Sequence, residues 1–147
     1  MKIYNPLGLS GPTTLEEKVL YRVVSESQSP WDQVFSKKHT TNRQMWGKSL
    51  PDKVEVPWSI VQHQEEINSI SLHAFCDISS WGLSAAVYAV MHQPSGILQG
   101  LVAAKSRITR KGLTILRPEL VAGHMATNLV LNAKETLQRF LITSFHC

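Results

Sequence analysis

Asp77 and Glu119 are the residues whose types and settings could act together. Asp77 ends a stretch in which Ile70, Leu72, Ala74 and Cys76 alternate with Ser71, His73, Phe75 and Asp77. That period-two pattern describes a strand with two differently dressed faces. A charge there interrupts a hydrophobic face unless it has a task or reaches solvent. Glu119 follows Pro118 at the start of a run with helical spacing, where an acidic side chain suits the positive end of the helix dipole. If that helix packs across the strand, the two carboxylates converge at one edge of a sheet. Two like charges about 4 Å apart repel by roughly 1 to 4 kcal/mol, depending on the local dielectric, so such a pair calls for a proton or a cation. Magnesium suits the role, since it takes carboxylate oxygens and keeps waters, and a two-metal site stabilises both oxygens of phosphodiester hydrolysis. On spacing alone, two acids in separate elements are more often solvated surface groups. His73, His124 and Cys76 also read first as structural. Ser79 and Ser80 read as a turn, with no histidine base and no nucleophile-elbow glycines around them.

The elements that must position the carboxylates follow from the text after Ile67, where the composition changes and a domain boundary is expected. Ile70 to Asp77 is the first strand. Leu83 to Met91 is a second, nearly continuous apolar strand, and Ile97 to Ser106 a third, joined by the loop His92 to Gly96. Short links make the three an antiparallel meander. A basic loop, Arg107 to Gly112, precedes a helix opened by Pro118, with Ala122, Ala126, Leu129, Val130, Ala133 and Leu137 as its buried stripe. Leu141 to Cys147 is apolar enough for a further strand. The second half is therefore an α/β arrangement in the order β, β, β, α, β.

The first half, residues 1–66, reads as a mostly helical and irregular segment. Pro6, Gly8, Gly11 and Pro12 oppose regular structure in the opening residues. Thr14 with Glu17 forms a capping-box pattern, after which Leu15, Val19, Leu20, Val23 and Val24 predict a helix ending near Ser25 to Gln28. A short helix is expected at Lys38 to Lys48. Trp31, Phe35, Trp46 and Trp58 are isolated aromatics, read as anchors for an irregular segment rather than platforms for bases.

Bulk properties bound these readings. A chain of 147 residues, 43% hydrophobic and 18% charged, holds one or two small units. The net charge of +4 mildly favours a polyanionic partner. Two cysteines are too few for a four-thiolate metal site or a disulfide framework, and point to a reducing compartment. No apolar run suits a signal peptide or a membrane span, so a soluble intracellular protein, cytoplasmic or nuclear, is expected.

Specific text adds to this. Tyr4-Asn5-Pro6-Leu7-Gly8-Leu9 followed by a helix resembles the DPLG segment that closes the polymerase region of BEL/Pao retrotransposons, in the Pao retrotransposon peptidase family. Leu72 to Ser79 is similar to that family's LHGFCDAS strand, Ala103 to Ile108 to its AKSRV strand end, and Leu113 to Leu120 to its LTIPRLEL helix entry. These four landmarks, in order, cover nearly the whole chain. The resemblance implies a reverse transcriptase connection segment over 1–66 and a partial RNase H-like domain over 67–147, a truncated RNase H-like fold. It makes Asp77 and Glu119 the first two catalytic, metal-binding carboxylates of a site that cuts the RNA strand of an RNA:DNA hybrid. Mg2+ or Mn2+ would be the cofactor of the intact parent. The partners would be an RNA:DNA hybrid or other nucleic acid and the rest of the pol polyprotein, with no membrane.

Departures from the pattern qualify the activity. The family's WTDS segment, which holds the third carboxylate, is not reached at Phe145-His146-Cys147, and leucine and proline are exchanged around Arg117. The chain is thus expected to be a polyprotein fragment with little activity alone. The alternative is a domesticated or degenerate remnant serving as a nucleic-acid-binding or structural module.

Overall fold

The computed structural model describes residues 8, 10–27, 30, 32–53, 55, 65–109, 112, 116–137 and 142–146. Three helices and four strands follow in the order α1 (Gly11–Glu26), α2 (Lys37–Ser49), β1 (Ser69–Ile78), β2 (Gly82–Gln93), β3 (Gly96–Ile108), α3 (Leu116–Thr136) and β4 (Ile142–His146). The sheet order is β3-β2-β1-β4. β1, β2 and β3 form the expected antiparallel meander, and β4 lies parallel to β1 after the α3 crossover.

Alternation in β1 and β2 sets the core. Ile70, Leu72 and Ala74 pair across from Met91, Ala89 and Val87, and all six are buried. Helix α3 covers this face with Ala122, Met125, Ala126, Val130 and Ala133. Its small residues let the helix axis come close to the sheet. Leu72 and Val87 are fully enclosed, each worth about 1.5–3 kcal/mol of hydrophobic transfer. The apolar run of β2 is therefore not buried throughout: Ser84 and Tyr88 are exposed between buried neighbours. Cys76 shares the parity of Leu72 and Ala74 but is exposed.

Several boundaries differ from the sequence reading. The β2–β3 connection is tighter than His92 to Gly96: β2 runs to Gln93, only Pro94 and Ser95 lie between, and β3 starts at Gly96. Gly96 has φ 144°, a conformation open to glycine and strained for other residues. Helix α3 begins at Leu116, so Pro118 is its third residue rather than its opener. The first four N–H groups of a helix have no intrahelical acceptor, and proline there forfeits no bond. Met125, absent from the expected stripe, is buried, while Leu129 and Leu137 are partly buried.

Helix α1 corrects the capping-box expectation. It starts at Gly11 after Ser10, with Pro12 in its first turn, and Thr14 lies inside it. The buried Thr14 hydroxyl donates to the Gly11 carbonyl at 3.0 Å, so it does not serve as a cap. The prolines and glycines that were expected to oppose regular structure thus partly belong to it. α1 rests on β3: Lys18 Nζ donates to the Ser106 carbonyl at 3.0 Å, Arg22 to the Thr109 carbonyl, and Ser106 Oγ to the Gly11 carbonyl at 3.3 Å. A Cβ on Gly8, where φ is 78°, would fall 1.7 Å from the Ala104 carbonyl oxygen, so only glycine permits this approach.

Helix α2 forms where a short helix was expected, with Ser36 Oγ accepting from the His39 amide. It buries none of its residues, and Trp46 ties it to α1 by donating from Nε1 to the Thr13 carbonyl at 3.0 Å. The anchoring role expected of the aromatics is met at Trp46; Phe35 is half exposed. Trp31 and Trp58 lie outside the described residues, as does the Tyr4 to Leu7 part of the opening motif.

Candidate functional site

Asp77 is the penultimate residue of β1 and pairs with Ser84 of β2, which pairs with Ser106 of β3. Pleating puts Asp77 in one row with His73 and Phe75, on the face opposite the Leu72 and Ala74 row that α3 covers. The turn that follows is held by Ser79. Its Oγ accepts from the Gly82 amide at 3.1 Å, and its amide donates to the Gly82 carbonyl at 2.8 Å. That ties the end of β1 to the start of β2 and fixes the backbone beside Asp77. Ser79 and Ser80 are accordingly a turn, as the sequence suggested.

Glu119 is the fourth residue of α3, in its first turn, and its side chain is exposed. The topology decides which end of the sheet it occupies. β3 ends at Ile108, opposite Gly82, beside the Ile78 end of β1. The chain enters α3 there, and β4 then starts at Ile142 opposite Ile70, at the other end of β1. The N-terminus of α3 therefore belongs to the same end of the sheet as Asp77. Asp77 comes from the open face, Glu119 from the covered side.

Both carboxylates are exposed, and among the described residues neither is in an ion pair. Asp77 borders a cleft of about 540 Å3 between the open face of the sheet and α1, lined also by Gly11, Leu15, Phe75, Ser84 and Ser106. Glu119 is not among its described lining residues. Among the described residues no three histidine, cysteine, aspartate or glutamate side chains cluster as a metal site. As a donor set, two solvated carboxylates fit a hard cation that retains several waters, magnesium rather than zinc.

The other candidate histidines each have a partner of their own. His124 lies 3.0 Å from Asn128 Nδ2, one turn along α3. His73 contacts Ser71 and stacks on His146, a juxtaposition that the sequence reading missed because β4 is brought beside β1 only by the crossover. A strand-to-strand register cannot be read from either strand alone.

No curated protein and no solved structure matches this chain. No helix among the described residues is long and apolar enough to cross a membrane. The sequence model of the Pao retrotransposon-like RNaseH-like domain matches residues 1–147. The α/β fold, a four-stranded sheet with three helices, agrees with that match, and the chain belongs to the Pao retrotransposon RNase H-like family.

Proposed function

We propose that this chain supplies the first two metal ligands, Asp77 and Glu119, of a ribonuclease H site acting on RNA:DNA hybrids within a retrotransposon pol polyprotein. The observation that carries the reading is the family match over 1–147, on a sheet whose topology brings the end of β1 and the start of α3 to one end. The exchange that gives Pro118 leaves helical geometry intact, since Pro118 sits in the first turn. Residues 1–66 are then the connection segment of the reverse transcriptase, and the protein works in the cytoplasm or nucleus.

Asp77 and Glu119 would hold Mg2+ or Mn2+ through carboxylate oxygens, and the bound ion would supply charge neutralisation at the scissile phosphate. The chain's own contribution is positional. The Ser79 turn holds the end of β1, and the packed stripe of α3 holds the helix that carries Glu119. Two carboxylates alone hold a divalent ion weakly, so the 147-residue chain is proposed to cleave poorly without further ligands.

The test incubates purified chain with a labelled RNA:DNA hybrid and magnesium, and titrates Mn2+ separately. Asp77→Asn and Glu119→Gln should each weaken Mn2+ binding, with little cleavage by any form. Unchanged Mn2+ binding in both variants would refute the site, and robust cleavage abolished by both would refute the account of an insufficient ligand set.

A further inference from the structure

His73 and His146 face one another across the parallel β1–β4 pair, in register, with ring centroids 4.7 Å apart and planes 23° from parallel. Both belong to the face of the sheet that α3 leaves open: His73 shares its row with Phe75 and Asp77, while its neighbours Leu72 and Ala74 are buried. His73 is half buried and His146 exposed. Ser71 Oγ lies 3.0 Å from His73 Nε2. In the tautomer in which that hydroxyl accepts the Nε2 proton, Nδ1 of His73 carries the lone pair. Metal-binding histidines characteristically donate their second ring N–H to a fixed partner in this way, which sets the tautomer and the ring orientation.

We propose that His73 and His146 form a two-imidazole site for a borderline divalent transition ion such as Zn2+, clipping the edge strand β4 to β1. Imidazole nitrogen suits Zn2+, Cu2+ and Ni2+ and is a poor ligand for Mg2+, so this site is chemically separate from Asp77 and Glu119 and does not depend on the nuclease reading. Zinc binds nitrogen at about 2.0–2.1 Å, closer than the stacked rings now allow from a shared ion, so the rings must turn toward each other. The χ2 torsion of histidine is broad, and the exposed His146 is free to make that turn. Waters complete the coordination, which makes the site weak and exchangeable. The consequence for the fold is mechanical: β4 has five residues at the sheet edge, and an ion binding only the paired arrangement stabilises that pairing.

The experiment titrates Zn2+ into the full chain carrying Cys76→Ser and Cys147→Ser, so that no thiolate takes the ion, and follows histidine ring signals by NMR with hydrogen exchange of the β4 amides. One ion per chain should shift the signals of His73 and His146 and slow exchange in β4. His146→Phe keeps a ring stacked on His73 but removes the ligand, and should weaken binding about tenfold or more, with Ser71→Ala giving a smaller loss. Zn2+ affinity unchanged in His146→Phe would overturn the proposal. So would one ion bridging two chains, or shifts confined to the other histidines.

Discussion

The two faces of the sheet are cut from the same strands, yet they serve different ends. On the covered face, Leu72 and Val87 are fully enclosed, and α3 presents alanines that bring it close. On the open face, Phe75 is 59% exposed and Tyr88 39%, with the rings edge to face at 6.1 Å beside the His73–His146 stack. Close-packed interiors resist any change in volume, whereas a solvated face tolerates it. Stability is thus concentrated on one side, and groups able to meet a ligand stand on the other and at the strand ends.

The sharpest way to break this comparison is to truncate one residue on each face. Leu72→Ala should cost about 2–5 kcal/mol in urea unfolding, because it leaves a cavity under α3. Phe75→Ala, three residues further along β1 on the other face, should cost about 1 kcal/mol or less, the scale of a cross-strand aromatic pair. Equal losses would mean that the open face is not open in solution.

Filling the helix–sheet contact is the next test. Ala126 is 4% exposed on the side of α3 that faces β1 and β2, and Ala126→Leu should destabilise the fold by about 1–3 kcal/mol through overpacking. A neutral result would show that α3 stands farther from the sheet than its alanines imply.

Why some of this was legible in the sequence and some was not follows from the same contrast. Alternation in β1 and helical spacing in α3 are imposed by burial on one side, so Ile70, Leu72, Ala74, Ala122, Ala126, Val130 and Ala133 were identifiable from pattern alone. The apolar run of β2 concealed its exposed positions, since Tyr88 and Ala86 are apolar without being in the core. The capping-box motif at Thr14 misled because proline in a first turn is compatible with a helix, which let α1 start at Gly11 with Ser10, not Thr14, before it. For the candidate site, Asp77 and Glu119 were legible as a strand-end acid and a helix-start acid. Their convergence at one edge of the sheet was expected only on the condition that the helix packs across the strand, because their common end depends on where β3 stops and where β4 returns. The His73–His146 contact was hidden for the same reason.

A smaller effect probes the first half of the chain. α2 buries no residue of its own, so its attachment leans on Trp46. Trp46→Phe keeps a ring but removes the donor to the Thr13 carbonyl and should cost about 1 kcal/mol, seen as faster hydrogen exchange in α2 with little change in the sheet. Matching losses in α2 and in β1 to β3 would mean that the two parts unfold as one unit.

The smallest expected effect on stability is also the most informative about chemistry. Asp77 is exposed, and among the described residues it is in no ion pair, so Asp77→Asn changes neither burial nor pairing. Surface changes of this kind stay within about 0.5 kcal/mol in either direction. The same substitution replaces an anionic oxygen by an amide, a much poorer ligand for a hard cation, so divalent binding should fall while urea unfolding stays put. Leu72→Ala should do the reverse where the fold survives: loss of stability, with ion affinity per folded molecule retained. If Asp77→Asn instead destabilised the chain by as much as a core truncation, Asp77 would be part of the scaffold, and the division between a stabilising face and a ligand-binding strand end would fail at the residue on which it most depends.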